Sequence, residues 1–383
     1  MKNTPVDPVA LLQGLIRCPS VTPKEAGAID LLQQVLAEGG FQCWRLPFGD
    51  VDNLFARIGH GSPHFCFAGH TDVVPAGDET IWTHAPFAGD IADGHIYGRG
   101  ATDMKGSVAA FAAAATDYIK EIGKPRGTLS FLITGDEEGP AIDGTVKVLE
   151  WMKENGHVPD HCLVGEPSSS LNFGDTIKIG RRGSLSFIVA VEGRQGHAAY
   201  PHKADNPIPK LAALVARLDT ARIDDGNAHF DPSTLAFTTI DVGNTAGNVI
   251  PSKAVLKFNI RFSTEHSFAS LKTWVDGHIE AVRAVNGGVW NVSYTEGADA
   301  FITEPGALVG LVQDAVQEET GQLPKLSTSG GTSDARFIKD YCAVLEFGPT
   351  NATIHQTDER ISVEELLATT RIYRRIVENY FNM

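Results

Sequence analysis

The chain has 383 residues, of which 42% are apolar and 21% are charged, and its formal net charge is −15. This length predicts two domains, since one domain usually has about 100 to 200 residues. No run approaches the roughly 18 apolar residues that span a bilayer, which argues against membrane insertion. The negative charge argues against a surface for nucleic acid or anionic lipid, so an anionic substrate would need a few local arginines.

The N-terminal stretch 1–8 is polar and leads into an amphipathic segment instead of a secretory signal. We therefore expect a cytoplasmic protein. The five cysteines are widely spread and form no CxxC pair, which argues against a disulfide framework and against a thiolate zinc site. Reduced, mostly buried thiols are expected.

Short apolar runs alternate with helical patterns in the first half of the chain, as in an α/β domain with a mostly parallel sheet. The runs 65–68, 129–134 and 162–164 predict strands, and the alanine-rich segment 107–122 predicts a helix. The three strands run into the polar clusters GHTD, GDEEG and GEP. Ligands bind beyond the carboxyl ends of strands in open α/β sheets, so we expect these clusters to share one site.

The pattern changes at about residue 180. The order of the predicted elements is then β-α-β-β-α-β, as in a ferredoxin-like α+β unit. Its strands are predicted at 185–191, 235–242, 255–262 and 289–294, and its helices at 207–218 and 268–285. The α/β character returns with a helix at 308–319, a strand at 343–347 and a closing helix at 363–380. We therefore expect a discontinuous catalytic domain, residues 1–179 and 295–383, with an inserted domain at 180–294.

Single residues at the strand ends allow two interpretations each. His70 and Asp72 lie two positions apart, so they share one side of a strand. Asp72 could orient a metal-bound His70, but a structural pair fits the same pattern. Asp103, in the glycine-rich GRGATDMKG, suits either a helix N-cap or a carboxylate shared by two metals.

Three consecutive carboxylates, Asp136, Glu137 and Glu138, follow the strand predicted at 129–134. In a buried place they would repel one another unless cations neutralised them, although a solvated acidic loop is the alternative. Because adjacent side chains diverge, one carboxylate could bind metal while its neighbour handles protons.

Glu166 and His355 complete a possible metal site, although each alone is more often an ordinary surface or core residue. The full set offers two nitrogen and three carboxylate ligands without sulfur, which suits a dinuclear zinc or cobalt hydrolytic site. Its members are His70, Asp103, Glu138, Glu166 and His355.

The ordered motifs GHTDVVP, YGRGATDMKG, GDEEG, GEP and IHQTDE resemble the M20 family of dinuclear zinc amidohydrolases and peptidases, and the resemblance covers nearly the whole chain. It implies that His70 and Glu166 hold one Zn²⁺, that Glu138 and His355 hold the other, and that Asp103 bridges both, with Co²⁺ able to substitute. It also implies a cis peptide bond after Asp103.

The same resemblance implies a hydrolytic role for Glu137. A water between two zinc ions has a pKa lowered towards neutrality. Glu137 would act as general base on this water and would later deliver the proton to the departing amine. Asp72 would support His70.

Further segments are similar to family members that hydrolyse N-succinyl-L,L-2,6-diaminopimelate, namely CLVGEP, IKIGRRGSLSF, GHAAYPHKADNP, NVIP, STSGGTSDARF and EFGPTNATIH. By this resemblance Arg181 would bind the succinyl carboxylate and Arg261 the diaminopimelate end, since guanidinium groups pair bidentately with carboxylates. Other substrate-binding positions matched in this way are Tyr200, Asn248, Gly331 and Thr332.

His197 matches the family histidine that reaches the oxyanion of the reaction from the partner subunit of a homodimer. This implies that the inserted domain is a dimerisation (lid) domain. His202 is expected to be structural. The same is expected of Arg182, although the sequence alone does not separate its role from that of the adjacent Arg181.

Two other functions remain open at this point. A sister amidohydrolase such as an acetylornithine deacetylase would not need Arg181, because an acetyl group carries no carboxylate. A catalytically inactive metal-binding homologue would not need Glu137, because binding alone requires no base.

Overall fold

The computed structural model describes residues 5–382. Residues 1–4, part of the stretch from which the absence of a secretory signal is predicted, lie outside this range. The chain divides into two compact units. The first unit runs to Ile179 and also contains Thr303–Ser327 and the chain from Ser333 onwards, and the second unit contains Gly180–Ile302 and Thr328–Thr332.

The secondary structure follows the chain in three stretches. Before residue 180 the helices are α1 (Pro8–Ile16), α2 (Ala28–Glu38), α3 (Gly106–Glu121) and α4 (Thr145–Glu154), and the strands are β1 (Gln42–Phe48), β2 (Val51–Gly59), β3 (His64–His70), β4 (Ile91–Ala92), β5 (His95–Tyr97), β6 (Thr128–Thr134), β7 (His161–Val164) and β8 (Thr176–Lys178). Between residues 180 and 302 they are β9 (Gly180–Arg181), β10 (Gly183–Glu192), β11 (Gly196–His197), α5 (Pro207–Asp219), β12 (Thr234–Asp241), β13 (Val249–Ile250), β14 (Lys253–Phe262), α6 (Phe268–Asn286), β15 (Val289–Glu296) and β16 (Phe301–Ile302). The last stretch has α7 (Ala307–Thr320), β17 (Lys325–Ser327), α8 (Ala335–Ile338), β18 (Ala343–Glu346), β19 (Arg360–Ser362) and α9 (Val363–Asn382).

The first unit is built on a sheet in the order β1-β2-β6-β3-β7-β18-β8-β17. The neighbouring strands β6, β3, β7 and β18 run parallel to one another. At one edge, β1 and β2 form an antiparallel hairpin that pairs with β6. Parallel strands end at the same edge of a sheet, so the residues after β3, β6, β7 and β18 emerge together. This confirms the predicted α/β class.

The core of the first unit forms around α3, the predicted alanine-rich helix. Its alanines are buried and let neighbouring elements approach closely. Phe111 of α3 stacks on Phe67 of β3 with ring centroids 4.2 Å apart, and Tyr373 of α9 packs against both rings. Burial of such rings stabilises the unit through the hydrophobic effect. It also fixes α3, and with it the turn that carries Asp103.

The second unit contains a four-stranded antiparallel sheet in the order β12-β14-β10-β15. This is the strand order of a ferredoxin-like fold, as the sequence predicts. Along β10 and β14 buried and more exposed residues alternate, as expected for a sheet with one covered face. Helices α5 and α6 pack against each other beside this sheet. Their apolar residues share one core with the inward side chains of the strands.

All five cysteines are free thiols, and Cys66 and Cys162 are fully buried. The other cysteines, Cys18, Cys43 and Cys342, are partly exposed. Among residues 5–382, no helix has the length and apolar character needed to cross a membrane.

Candidate metal centre

Five segments of the first unit bring the predicted ligands together. His70 is the last residue of β3, Glu138 follows β6 and Glu166 follows β7. Asp103 lies in the turn Ala101–Lys105 that precedes α3. His355 lies in the loop after β18 and has a positive φ of 58°, a conformation uncommon for residues other than glycine.

Asp103 lies between the two histidines. Its Oδ1 is 3.3 Å from Nε2 of His70, and its Oδ2 is 3.3 Å from Nε2 of His355. His355 Nε2 also lies 2.8 Å from Glu138 Oε1. Nε2 of His70 lies 3.9 Å from Glu166 Oε1. The arrangement gives Asp103 one carboxylate oxygen for each side of the cluster, as a ligand shared by two metal ions would need.

Among residues 5–382, two sets of side chains could each hold a cation, since the ligand atoms within each set lie within 4.8 Å of one another. They are His70 with Glu137 and Glu166, and His70 with Asp103 and Glu138. Nε2 of His70 is buried and makes no hydrogen bond of normal geometry within the described part of the chain. A buried nitrogen without such a partner, surrounded by carboxylates, fits a metal ligand.

The protonation equilibria of the cluster reflect its burial and its crowded charges. Burial raises the pKa of Glu137 to about 8, and the same cause raises that of Glu166 well above its ordinary value. Hydrogen bonds to Asp103 and Glu138 raise the pKa of His355 to about 10. Burial opposes ionisation of Asp103, but the two histidines hold its pKa below the ordinary value. Without a cation, the cluster therefore retains protons that a metal would displace.

Asp72 makes two kinds of contact at the end of β3. His70 Nδ1 lies 2.9 Å from the backbone carbonyl oxygen of Asp72 and 3.6 Å from its carboxylate Oδ1. The Asp72 carboxylate accepts the backbone N–H groups of Glu137 at 3.3 Å and of Glu138 at 3.0 Å. Asp72 thus connects the histidine to the GDEEG turn, an arrangement that the HxD spacing alone does not reveal.

The peptide bond between Asp103 and Met104 is cis, as the family resemblance implies. Another residue of this region, Glu359, was not singled out by the sequence. Its carboxylate is fully buried and accepts the backbone N–H of Asp103. Its position in the IHQTDE motif, four residues after His355, is the only signal in the sequence that could have indicated it.

Two of the predicted substrate residues, Arg181 and Gly331, adjoin each other in the second unit. Nη1 of Arg181 donates to the carbonyl oxygens of Gly331 at 3.1 Å and of Ser329 at 3.3 Å. Gly330 has φ +104°, and a Cβ added there would lie 2.7 Å from Nη1 of Arg181. Because glycine has no Cβ, position 330 leaves room for the guanidinium group of Arg181. Thr332 ends the same segment of this unit.

A second group in this unit surrounds His197 on β11. The ring centroids of His197 and Tyr200 are 5.7 Å apart, and the N–H of Ala198 donates to the carbonyl oxygen of Asn248. His197, Tyr200 and Asn248 are all exposed to solvent.

Arg261 lies on β14 of the second unit, opposite Ser184 of β10. Burial and the nearby charge of Arg182 lower the pKa of Arg261. The structure thus places Arg181 with Gly331 and Thr332, and His197 with Tyr200 and Asn248, while Arg261 lies on the sheet.

The chain is similar to known proteins over nearly its whole length. Residues 66–379 match the model of peptidase family M20/M25/M40. A succinyl-diaminopimelate desuccinylase of Rhodospirillum centenum is 54% identical, with 98% of this chain and 97% of that protein covered. A protein of the same name from Rhodopseudomonas palustris is 52% identical over the full length of both chains.

Solved structures with low sequence identity share the fold. The aminopeptidase PepT of Bacillus cereus has a TM-score of 0.80 at 21% identity, covering 97% of this chain and 98% of that one. The Bacillus subtilis YXEP protein, described as a dinuclear metal binding peptidase from the M20 family, has a TM-score of 0.74 at 17% identity and covers 98% of both chains.

Proposed function

The chain belongs to peptidase family M20/M25/M40, and we propose that it hydrolyses the amide bond of N-succinyl-L,L-2,6-diaminopimelate. The products are succinate and L,L-2,6-diaminopimelate, a precursor of lysine and of the cell wall. The observation that carries this proposal is the 54% identity, over nearly the whole length, to a relative named for this reaction.

The donor set supports a centre for two Zn²⁺ ions, with Co²⁺ able to replace them. His70 and Glu166 would hold one ion, Glu138 and His355 the other, and Asp103 both. The contacts of Asp103 with both histidines and the buried Nε2 of His70 fit this assignment. When bound, the metals would polarise the amide carbonyl and lower the pKa of a nearby water.

Glu137 is proposed as the residue that moves the proton. Its carboxylate accepts a proton from the attacking water as the new C–O bond forms, and delivers it to the amine nitrogen when the C–N bond breaks. Burial raises the pKa of the Glu137 carboxyl in the absence of a cation, and the positive charge of bound metals would lower it again, so that the ionised carboxylate could accept the proton. Asp72 holds the backbone of the same turn through the N–H groups of Glu137 and Glu138.

The substrate carries three carboxylates, so its recognition requires cationic and hydrogen-bonding groups. We assign the succinyl carboxylate to Arg181, whose side chain is buried beside the carbonyl oxygens of Ser329 and Gly331. Arg261 would bind the diaminopimelate end. Tyr200, Asn248, Gly331 and Thr332 would complete the binding residues, and the partner subunit's His197 would donate to the oxyanion.

A homodimer through the inserted domain, residues 180–294, agrees with an apolar groove of the second unit. The groove has a volume of about 250 Å³ and lies between α5 and β12. Ile240 of β12 is 59% exposed, and β12 forms the edge of its sheet. An edge strand with an exposed isoleucine beside an apolar groove suits contact with a second copy of the chain. The proposed place of action is the cytoplasm, where amino acids are synthesised.

Metal dependence tests this proposal. Protein freed of metal by a chelator should not release succinate from N-succinyl-L,L-2,6-diaminopimelate, and addition of Zn²⁺ or Co²⁺ should restore the reaction. Equal rates before and after chelation, in protein verified to be metal-free, would refute the proposed chemistry.

A further inference from the structure

Glu359 forms an unusually complete set of hydrogen bonds. Its side chain is 0% exposed. The carboxylate oxygen Oε2 accepts from Arg99 Nη1 at 2.8 Å and from the backbone N–H of Gly100 at 3.0 Å. The oxygen Oε1 accepts from the backbone N–H groups of Thr102 at 3.0 Å and of Asp103 at 3.1 Å. Two donors thus approach each oxygen, and three of the four donors belong to one short stretch of backbone.

Further hydrogen bonds join the backbone around Gly100 to the loop that carries Glu359. The N–H of Gly98 donates to the backbone carbonyl oxygen of Glu359 at 2.8 Å. Arg99 Nη1 also donates to the carbonyl oxygen of Gln356 at 3.2 Å. The backbone from residue 98 to 103 is therefore attached to the loop from 356 to 359 through both the main chain and the side chain of Glu359.

These hydrogen bonds affect the metal cluster because each of the two segments adjoins one of its proposed ligands. The first ends at Asp103, whose carboxylate contacts both His70 and His355. The second begins one residue after His355. At the start of a helix the first backbone N–H groups have no partner within the helix. The short turn Ala101–Lys105 before α3 begins with such groups. The carboxylate of Glu359, from far along the chain, accepts the N–H groups of Thr102 and Asp103 in this turn.

We propose that Glu359 is a positioning residue for the metal centre: its buried carboxylate fixes the turn 100–103 and sets Asp103 between His70 and His355 before any metal binds. Glu359 does not touch the substrate or the reacting atoms in this role. The inference rests on the proposed metal-dependent function, which it extends by naming the group that preorganises the shared ligand. Partners of metal ligands commonly tune metal affinity in this way.

Glu359→Gln tests the proposal with a side chain of nearly the same size. The amide keeps one acceptor oxygen, but its NH₂ group would face two N–H donors of the protein. We expect the metal-free variant to fold and to bind Zn²⁺ about 10- to 100-fold more weakly in competition with a chelator. We also expect an altered visible absorption spectrum of the Co²⁺ form. Wild-type affinity and an unchanged Co²⁺ spectrum would overturn the proposal.

Asp175→Asn is a matched control. The Asp175 carboxylate also accepts three backbone N–H groups, those of Ser170, Leu171 and Asn172, at 2.8, 2.8 and 3.0 Å. None of these residues belongs to the metal cluster. This variant should bind Zn²⁺ as the wild type does, and an equal loss of affinity in both variants would contradict a specific role for Glu359.

Amide hydrogen exchange of the wild type gives a test that does not depend on a variant. In the metal-free protein, the N–H groups of Gly100, Thr102 and Asp103 should already be protected. Protection that appears only after Zn²⁺ is added would show that the metal, and not Glu359, orders the turn. A wild type that binds no zinc would instead refute the proposed function, so the two failures are distinguishable.

Discussion

The Asp72 carboxylate accepts the backbone N–H of Glu138 at 3.0 Å, and so links the end of β3 to the turn after β6. Asp72→Ala removes this acceptor. We expect Zn²⁺ affinity to fall about 10- to 100-fold, measured by competition with a chelator. Asp78→Ala removes an exposed carboxylate that accepts the N–H of Thr80, and it should bind zinc normally. Unchanged zinc binding by Asp72→Ala would show that the turn holds its ligands without this carboxylate.

Glu137→Gln removes the proposed proton acceptor while it preserves the size of the side chain. We expect kcat to fall about 10²- to 10⁴-fold, the usual contribution of general acid–base catalysis. The metal content, measured by elemental analysis, should remain that of the wild type. Glu150 of α4 is exposed, and Glu150→Gln controls for the loss of one carboxylate. Undiminished turnover by metal-loaded Glu137→Gln would contradict the assigned mechanism.

Arg181→Ala tests the recognition of the succinyl carboxylate. Removal of a charged hydrogen-bond donor should weaken transition-state binding by about 2 to 3 kcal/mol. The value of kcat/KM for the succinylated substrate should therefore fall roughly 30- to 150-fold. Hydrolysis of an N-acetylated amino acid should change much less, because its acyl group has no carboxylate. Arg182→Ala should leave the ratio of the two rates unchanged. Equal losses on both substrates in Arg181→Ala would exclude a role in acyl selection.

His64 makes the stability of the fold sensitive to acid. Burial lowers the pKa of this imidazole to about 4, whereas an unfolded histidine titrates near 6.5. The folded state therefore binds fewer protons, and the stability from neutral His64 is complete above about pH 6.5 and decreases as pH falls towards 4. Between pH 8 and pH 5 this loss should be about 2 kcal/mol.

Urea unfolding of the metal-free protein at these two pH values measures the effect. His64→Gln should lose less stability than the wild type on acidification, while a variant of the exposed His60, His60→Gln, should behave like the wild type. Equal pH dependence of the wild type and His64→Gln would disprove the interpretation.

The fold class follows from the sequence because local patterns and chain order determine it. The alanine-rich segment predicted at 107–122 is α3 (Gly106–Glu121), and the six elements of the inserted domain appear in the predicted order. The hairpin of β1 and β2 was not predicted. Burial along β1 does not alternate and β2 is buried almost continuously, so neither strand shows a period of two.

The candidate site was predictable as a set of residues but not as a set of contacts. Strand ends and motif order indicate that His70, Glu138 and Glu166 should meet. Which oxygen of Asp72 contacts His70 depends on the turn geometry, which the sequence does not specify. The bonds of Glu359 join positions more than 250 residues apart, and no local pattern encodes such a pairing. The catalytic and ligand roles themselves stay predictions.

Substrate preference tests the central claim most directly. The measurement is kcat/KM of the zinc-loaded wild-type protein for N-succinyl-L,L-2,6-diaminopimelate and for N-acetylornithine under the same conditions. We predict that the succinylated substrate is preferred by roughly 30- to 150-fold, in line with the contribution of one charged hydrogen-bonded contact. Equal values, or a preference for N-acetylornithine, would contradict the proposed function.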